Sequence, residues 1–222
     1  MPGWQARVVP NLYPAFDRQE VVVHTPRHAR TVADLDDGEL AAVSRAWHAR
    51  FHAAIDDGYY PLVFVNEGKG AGASLPHSHS QLVWLREAPP QARDEEPNLQ
   101  EGRCALCAVL GDSLEIAVEG DLSLRAAGAG RAPYETLIAP RAHEARPGRE
   151  NLEAALRLLR HMIRRLHRAE AAVPFNAWLH HGQHWHLEIV PRLSVLAGLE
   201  LGAGLYVNWL PPEEAVERLS AG

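Results

Sequence analysis

The sequence predicts an α+β fold of two tandem units, each an antiparallel sheet with one long helix. Three observations carry this: an order of elements that occurs twice, an apolar stripe at helical spacing in each copy, and a strand in each copy whose alternate positions are polar, His77-x-His79-x-Gln81 and His184-x-His186-x-Glu188. With 222 residues and 46% hydrophobic content, the chain can bury a sizeable core.

The first unit is assigned residues 1–87. Its "EVVVHTPRHARTVADL" opens with a β-branched strand from Glu20 to His24 and ends in Pro-Arg-His at 26–28. Leu40, Val43, Trp47 and Phe51 lie close to helical spacing and predict a helix from Glu39 to Ile55. "PLVFVN" then reads as extended, and "HSHSQLVWL" as a strand carrying the first triple. Residues 88–101, rich in Pro, Gln and acids, read as a linker. The second unit, 102–222, resumes the pattern: "ETLIAPRAH" is a strand ending in Pro-Arg and His143, and "NLEAALRLLRHMIRRLHRAEAA" is a helix with Leu152, Leu156, Leu159, Ile163 and Leu166 on its inner face. "FNAWLHHG" is extended, and "HWHLEIVPRL" is a strand carrying the second triple.

Bulk properties exclude some partners. The net charge is −6 and the basic residues, a single lysine among them, are scattered, so no stripe tracks a nucleic-acid backbone. No apolar run approaches the roughly 20 residues of a membrane span, and the start lacks the apolar core of a signal peptide, which together predict a cytoplasmic protein. The two cysteines, Cys104 and Cys107 in "CALC", are spaced as a metal knuckle or a redox pair. His48 and His52, one helical turn apart, read as a solvated face rather than a metal pair.

On a strand, residues i, i+2 and i+4 share a face, so each triple forms a polar row. The first row follows a glycine-rich loop, "NEGKGAGASLPHSHSQLVW", residues 66–84. Gly68, Gly70 and Gly72 let the backbone approach a ligand, successive N–H groups with the Ser74 hydroxyl can cradle phosphate oxygens, and Lys69 adds a point charge.

This segment resembles the active-site segment of the galactose-1-phosphate uridylyltransferase family, a branch of the histidine-triad superfamily whose members hold two triad-like units in one chain. The resemblance covers most of the sequence: "RVVPNLYPAF" looks like the family's nucleotide-ribose segment, "TPRH" and "APRAH" its metal-ligand strand ends, and "HWHLEIVPRL" with "LAGLELGAGLYVNWLPPEEAVERL" its second unit and sugar-phosphate region. It implies two tandem histidine-triad-like units. His79, the middle of the triple, would attack the α-phosphorus of a nucleoside diphosphate sugar, with Gln81 donating to a phosphate oxygen that a carboxylate would repel. Asn66 and Ser74 would orient the phosphates with Gly68, Lys69 and Gly72, Asn11 the ribose, and Glu200 the sugar hydroxyls. His77 is placed with these substrate-binding residues. The second triple ends in an anion, Glu188, and is expected to be non-catalytic.

Zinc favours four N/S ligands, and the duplicated layout assigns Cys104, Cys107, His143 and His184, with His180 and His186 as rival fourth ligands. Family members usually carry a further Cys-x-x-Cys ahead of "VPNLYPAF"; here either the first unit lacks that metal or the sequence begins downstream of it. That segment supplies base contacts in the family, and Leu199 stands where an aromatic is common, so nucleotide and hexose are both open. The expected partners are a nucleotide sugar and a sugar-1-phosphate, or phosphate; a homodimer is allowed but not required. The implied activity is nucleotidyl transfer through a histidine adduct, with phosphorylase-type transfer to inorganic phosphate, or a non-catalytic nucleotide-binding role, as the alternatives.

Overall fold

The computed structural model describes residues 3–221. Through the first half the elements are β1 (Arg7–Pro10), β2 (Gln19–Val23), α1 (Asp37–Asp56), β3 (Tyr60–Glu67), β4 (His79–Leu85) and α2 (Pro90–Glu95). There follow α3 (Ala105–Val109), β5 (Glu115–Glu119), β6 (Leu122–Ala126), β7 (Thr136–Pro140), α4 (Arg149–Glu170), β8 (Phe175–His180), β9 (His186–Pro191), α5 (Gly198–Ala203) and α6 (Pro212–Ser220). Among the described residues, nine strands make one sheet in the order β1-β2-β4-β3-β8-β9-β7-β6-β5, each paired antiparallel to its neighbours. The duplication is explicit in this order, for β1-β2-β4-β3 runs inward to the centre and β8-β9-β7-β6 runs outward from it.

Register turns that likeness into residue equivalences. Phe64 pairs with Gln81 in the first unit and Trp178 with Glu188 in the second, while Phe64 and Trp178 pair with each other at the centre. A pseudo-twofold axis therefore passes between Phe64 and Trp178, relating Gln81 to Glu188, His79 to His186 and Asn66 to His180.

Both long helices cover one face of the sheet. α1 begins two residues before the periodicity requires because Asp36 and Glu39 close a capping box around its first turn. Its Leu40, Val43, Trp47 and Phe51 are buried against Val63, Val65, Leu82 and Trp84, and in α4 Leu152, Leu156, Leu159, Ile163 and Leu166 join the same core. The opposite face carries Asn66, His79, Gln81, Trp178, His180, His186 and Glu188. Each triple is shifted against its strand: β4 and β9 start at the second histidine, because the rings of His77 and His184 turn aside to bond the carbonyls of Arg27 and Pro140 through Nε2 at 2.9 and 2.8 Å. The linker at 88–101 is partly ordered as α2. No helix among the described residues is long and apolar enough to cross a membrane.

The serines that flank His79 point into the core. His24 is fully buried, with Nδ1 2.9 Å from Ser78 Oγ and Nε2 3.0 Å from Ser80 Oγ, and Trp47 Nε1 donates to Ser80 Oγ at 2.8 Å. Burial, reinforced by His79 and His77, lowers the His24 pKa from 6.5 to about 3. The folded protein therefore holds His24 neutral while the unfolded chain takes up a proton below 6.5, so this contribution to stability is lost as the pH falls from about 6.5 toward 3. Glu67 opposes it, since burial raises its pKa to about 7 and protonation then favours the folded state as the pH falls. The difference between two proteins isolates the histidine: between pH 8 and pH 5 the parent should lose about 2 kcal/mol more stability than His24→Asn in denaturant titrations, and equal losses would refute the buried neutral imidazole.

Candidate active site

β4 presents His79 and Gln81 side by side on the open face. His79 is only 8% exposed, and its Nδ1 lies 2.7 Å from the His77 carbonyl oxygen. A carbonyl only accepts, so Nδ1 carries the proton and, in the neutral ring, Nε2 keeps its lone pair. His79 lines a pocket of about 180 Å³ with Arg30, Asn66, Glu67, Gly68, Leu75 and His77. Gly68 is required there: its φ is +80°, and a Cβ would meet the Pro174 ring at 3.0 Å. Lys69, Gly72 and Ser74 are exposed on the same loop, outside the pocket lining.

Polar side chains surround the two site amides. Gln81 Oε1 accepts from Gln19 Nε2 at 2.7 Å and from Asn11 Nδ2 at 3.3 Å, so Asn11, expected at the ribose, is engaged with Gln81. Asn66 Oδ1 accepts from Asn176 Nδ2 at 2.8 Å, directly across the β3–β8 pair. Asn66 also lines a second cavity of about 490 Å³ over the centre of the sheet, with Phe64, Trp178, Arg131, Arg192 and Tyr206 among its walls. Glu200 lines this cavity at α5, its carboxylate accepting from the Ala197 N–H at 2.9 Å, a bond that holds its pKa below the usual carboxylate range. The two cavities meet at Asn66.

The second unit uses the equivalent positions differently. Glu95, delivered by α2, sits 2.8 Å from His180 Nδ1, and His186 Nε2 lies 3.6 Å from both Glu95 and Glu188. Against its burial, which would lower it, the carboxylates of Glu188 and Glu95 raise the His186 pKa to about 9. A protonated imidazole has no lone pair to offer. Arg131 completes the cluster, paired with Glu188 at 2.5 Å and Glu135 at 2.8 Å. His180 and His186, the rival fourth ligands for the cysteines, thus belong to a separate group with Glu95 and Glu188.

Cys104 and Cys107 meet the two histidines that duplication assigned to them. Cys104 Sγ is 3.2 Å from His184 Nδ1, Cys107 Sγ is 3.4 Å from His143 Nδ1 and 3.5 Å from His184 Nδ1, and the four ligand atoms lie within 4.8 Å of one another. Tetrahedral zinc would hold such atoms roughly 3.3–3.8 Å apart. The cysteines are free thiols, and His184 directs Nε2 to the Pro140 carbonyl, leaving Nδ1 toward the sulfurs, the outer-shell arrangement of a ligating histidine. Burial lowers the His184 pKa, favouring the neutral form that a metal requires.

Comparison with known proteins places these residues in a family. The family described as "Domain of unknown function (DUF4921)" matches residues 15–221. The chain belongs to that family. Its relatives include an ADP-glucose phosphorylase of Arabidopsis thaliana, 28% identical over 97% of this chain and 74% of the relative, and a galactose-1-phosphate uridylyltransferase of Thermotoga maritima, 24% identical over 90% and 72%. A crystal structure of an Arabidopsis thaliana ADP-glucose phosphorylase with bound ADP-glucose superposes with a TM-score of 0.91 at 27% identity, covering 100% of this chain and 83% of that one. The resemblance to galactose-1-phosphate uridylyltransferases and the two-unit fold read from the sequence are borne out by these relatives.

Sequence reasoning missed Gln19, Arg30, Glu95, Arg131 and Asn176. Glu95 lay in the presumed linker, where no motif singled it out from the other acids. Gln19 and Asn176 became visible only through strand register.

Proposed function

We propose that the protein is a nucleotidyltransferase that moves a nucleoside monophosphate from a nucleotide sugar to a second sugar-1-phosphate through a covalent adduct on His79. The observation that carries this is the His79 ring, its Nδ1–H committed to the His77 carbonyl and its Nε2 without a partner among the described residues, beside the glycine loop. Nε2 attacks the α-phosphorus, a P–N bond forms, and the bond from that phosphorus to the bridging oxygen breaks, releasing sugar-1-phosphate. The Nδ1–H bond to the carbonyl stabilises the positive charge that develops on the ring. The phosphate of the acceptor then attacks the same phosphorus and His79 leaves as a neutral imidazole. Arg30 offsets charge on the non-bridging oxygens, and the Gln81 amide donates a hydrogen bond to them.

A second reading shares the first half-reaction and uses inorganic phosphate as acceptor, giving a nucleoside diphosphate. The identity to ADP-glucose phosphorylase and the likeness to its ADP-glucose complex favour it. Offering both acceptors to the labelled adduct separates the two.

With α-labelled ADP-glucose and UDP-glucose in turn, the parent should acquire label at neutral pH and His79→Ala should acquire none, while nucleotide binding largely survives. His186→Ala should cost far less. Gln81→Glu should lose roughly 2 kcal/mol or more of transition-state stabilisation, because an anion replaces a donor beside developing charge. Equal labelling of the parent and His79→Ala would remove the nucleophile assignment; tight nucleotide binding without labelling in any protein would favour a binding role.

We also propose a structural zinc at Cys104, Cys107, His143 and His184. Its thiolate and imidazole bonds would clamp the start of α3 to the end of β7 and the start of β9, away from His79. Metal analysis should find about one zinc per chain, and Cys104→Ser should lower the melting temperature more than it lowers turnover of the folded fraction. Full stability in metal-free, chelator-treated protein would contradict it.

A further inference from the structure

We infer that Gln19 and Asn176 are positioning residues: each pins the oxygen end of a site amide, Gln81 and Asn66 respectively, so that the N–H end of both faces the substrate phosphates. The inference rests on the nucleotidyl-transfer reading. An amide is nearly symmetric in shape, but its two ends are opposite in charge; with N–H outward it recognises an anion, and with oxygen outward it repels one.

The orientation of each amide follows from partners that can play only one role. Gln19 Oε1 accepts from the Ala15 backbone N–H at 2.8 Å, so the Gln19 amide nitrogen must face Gln81. Asn11 is fixed the same way, its Oδ1 accepting from the Tyr13 N–H at 2.9 Å and its Nδ2 turned to Gln81. Two donors therefore converge on Gln81, which can answer only with its oxygen. In the second chain of contacts, Asn176 Nδ2 lies 2.9 Å from the Ala71 carbonyl, which only accepts, and its Oδ1 faces the Arg192 guanidinium, which only donates, at 3.4 Å. Asn66 must then present Oδ1 to Asn176 and leave its N–H groups to the cavities it lines. The Ala71 contact also ties the glycine loop to β8, so a strand of the second unit holds two parts of the first unit's site.

Isosteric carboxylates reverse this logic without changing shape. Gln19→Glu removes a donor and supplies an acceptor, so Gln81 gains by turning its N–H inward and its oxygen toward phosphate. Gln19→Met removes the donor and imposes no reversal. The charged neighbours of position 19, Asp17, Arg18 and Glu20, are already paired with Arg86, Asp57 and Arg50, so titration of a carboxyl there is set by the surrounding amides and by His79 on the same face. Once protonated, that carboxyl donates to Gln81 as the amide did.

The experiment is single-turnover labelling of His79 by α-labelled ADP-glucose and UDP-glucose in the parent, Gln19→Glu, Gln19→Met and Asn176→Asp, at pH 8 and pH 5, with melting curves to establish folding. At pH 8, Gln19→Glu and Asn176→Asp should be slower than the parent by about a hundredfold, and Gln19→Met by about tenfold or less. At pH 5 the Gln19→Glu deficit, taken against the parent at the same pH, should shrink to about tenfold, while the Gln19→Met deficit should not move. Equal deficits for Glu and Met at position 19, or a Glu deficit independent of pH, would overturn the inference with the labelling chemistry intact. If Gln19→Glu does not fold, Asn176→Asp decides alone, and parental labelling in that variant overturns the pinning. A parent that labels with neither nucleotide sugar overturns the reaction and the inference together.

Discussion

The antiparallel pairing of β3 with β8 is the constraint on which the rest of the molecule depends. It joins the two units through main-chain hydrogen bonds running from Val63–Leu179 to Glu67–Phe175, so neither unit presents that strand as an open edge. It fuses their inner faces into one surface for α1 and α4, and their outer faces into one surface for the cavities. It also sets Asn66 opposite Asn176, and through the Asn176 amide the second unit's sheet reaches the Ala71 carbonyl in the first unit's glycine loop.

Beneath the two triples the copies differ more than above them. The residues between the histidines of the first triple are Ser78 and, after His79, Ser80, both bonded to the buried His24; the equivalent residues of the second are Trp185 and Leu187, buried in the apolar core. The first strand is thus located by a closed polar network whose every member has a partner, a device that fixes geometry because any displacement leaves a buried group unsatisfied. The second is located by packing, and its start by the cluster of Cys104, Cys107, His143 and His184. The nucleophilic role proposed for His79 would gain from the stricter device, because it needs the ring held to within a fraction of an ångström.

Legibility followed range along the chain. The helices were readable because the faces of α1 and α4 are periodic over many turns, and the triples because period two puts His79 and Gln81 on one face. The cysteine partners were readable through duplication, since the place of His143 and His184 in the second copy mirrors His28 and His77 in the first. The supporting residues were not, because nothing local marks Gln19 as the partner of Gln81 until β2 is paired with β4 and Gln19 falls opposite Val83, two positions from Gln81 on the shared face. Glu95 was hidden for the opposite reason: its surroundings read as a linker, and the docking of α2 against His180 and His186 gives its charge partners.

One atom's worth of chemistry at equivalent positions then separates the two histidines. The backbone holds both rings alike, each with Nδ1 toward the carbonyl of the histidine two residues before it, at 2.7 Å for His79 and 3.2 Å for His186. In the first unit the neighbour at the end of the triple is neutral Gln81, and among the described residues no carboxylate pairs with the His79 ring. In the second unit the neighbour is Glu188, joined by Glu95 from α2, and their charges hold a proton on Nε2. Those same carboxylates would repel an incoming phosphate, so protonation and charge act in the same direction. The scaffold is common to both histidines, and the difference proposed between a reactive His79 and an inert His186 lies in the charge of their neighbours rather than in the fold.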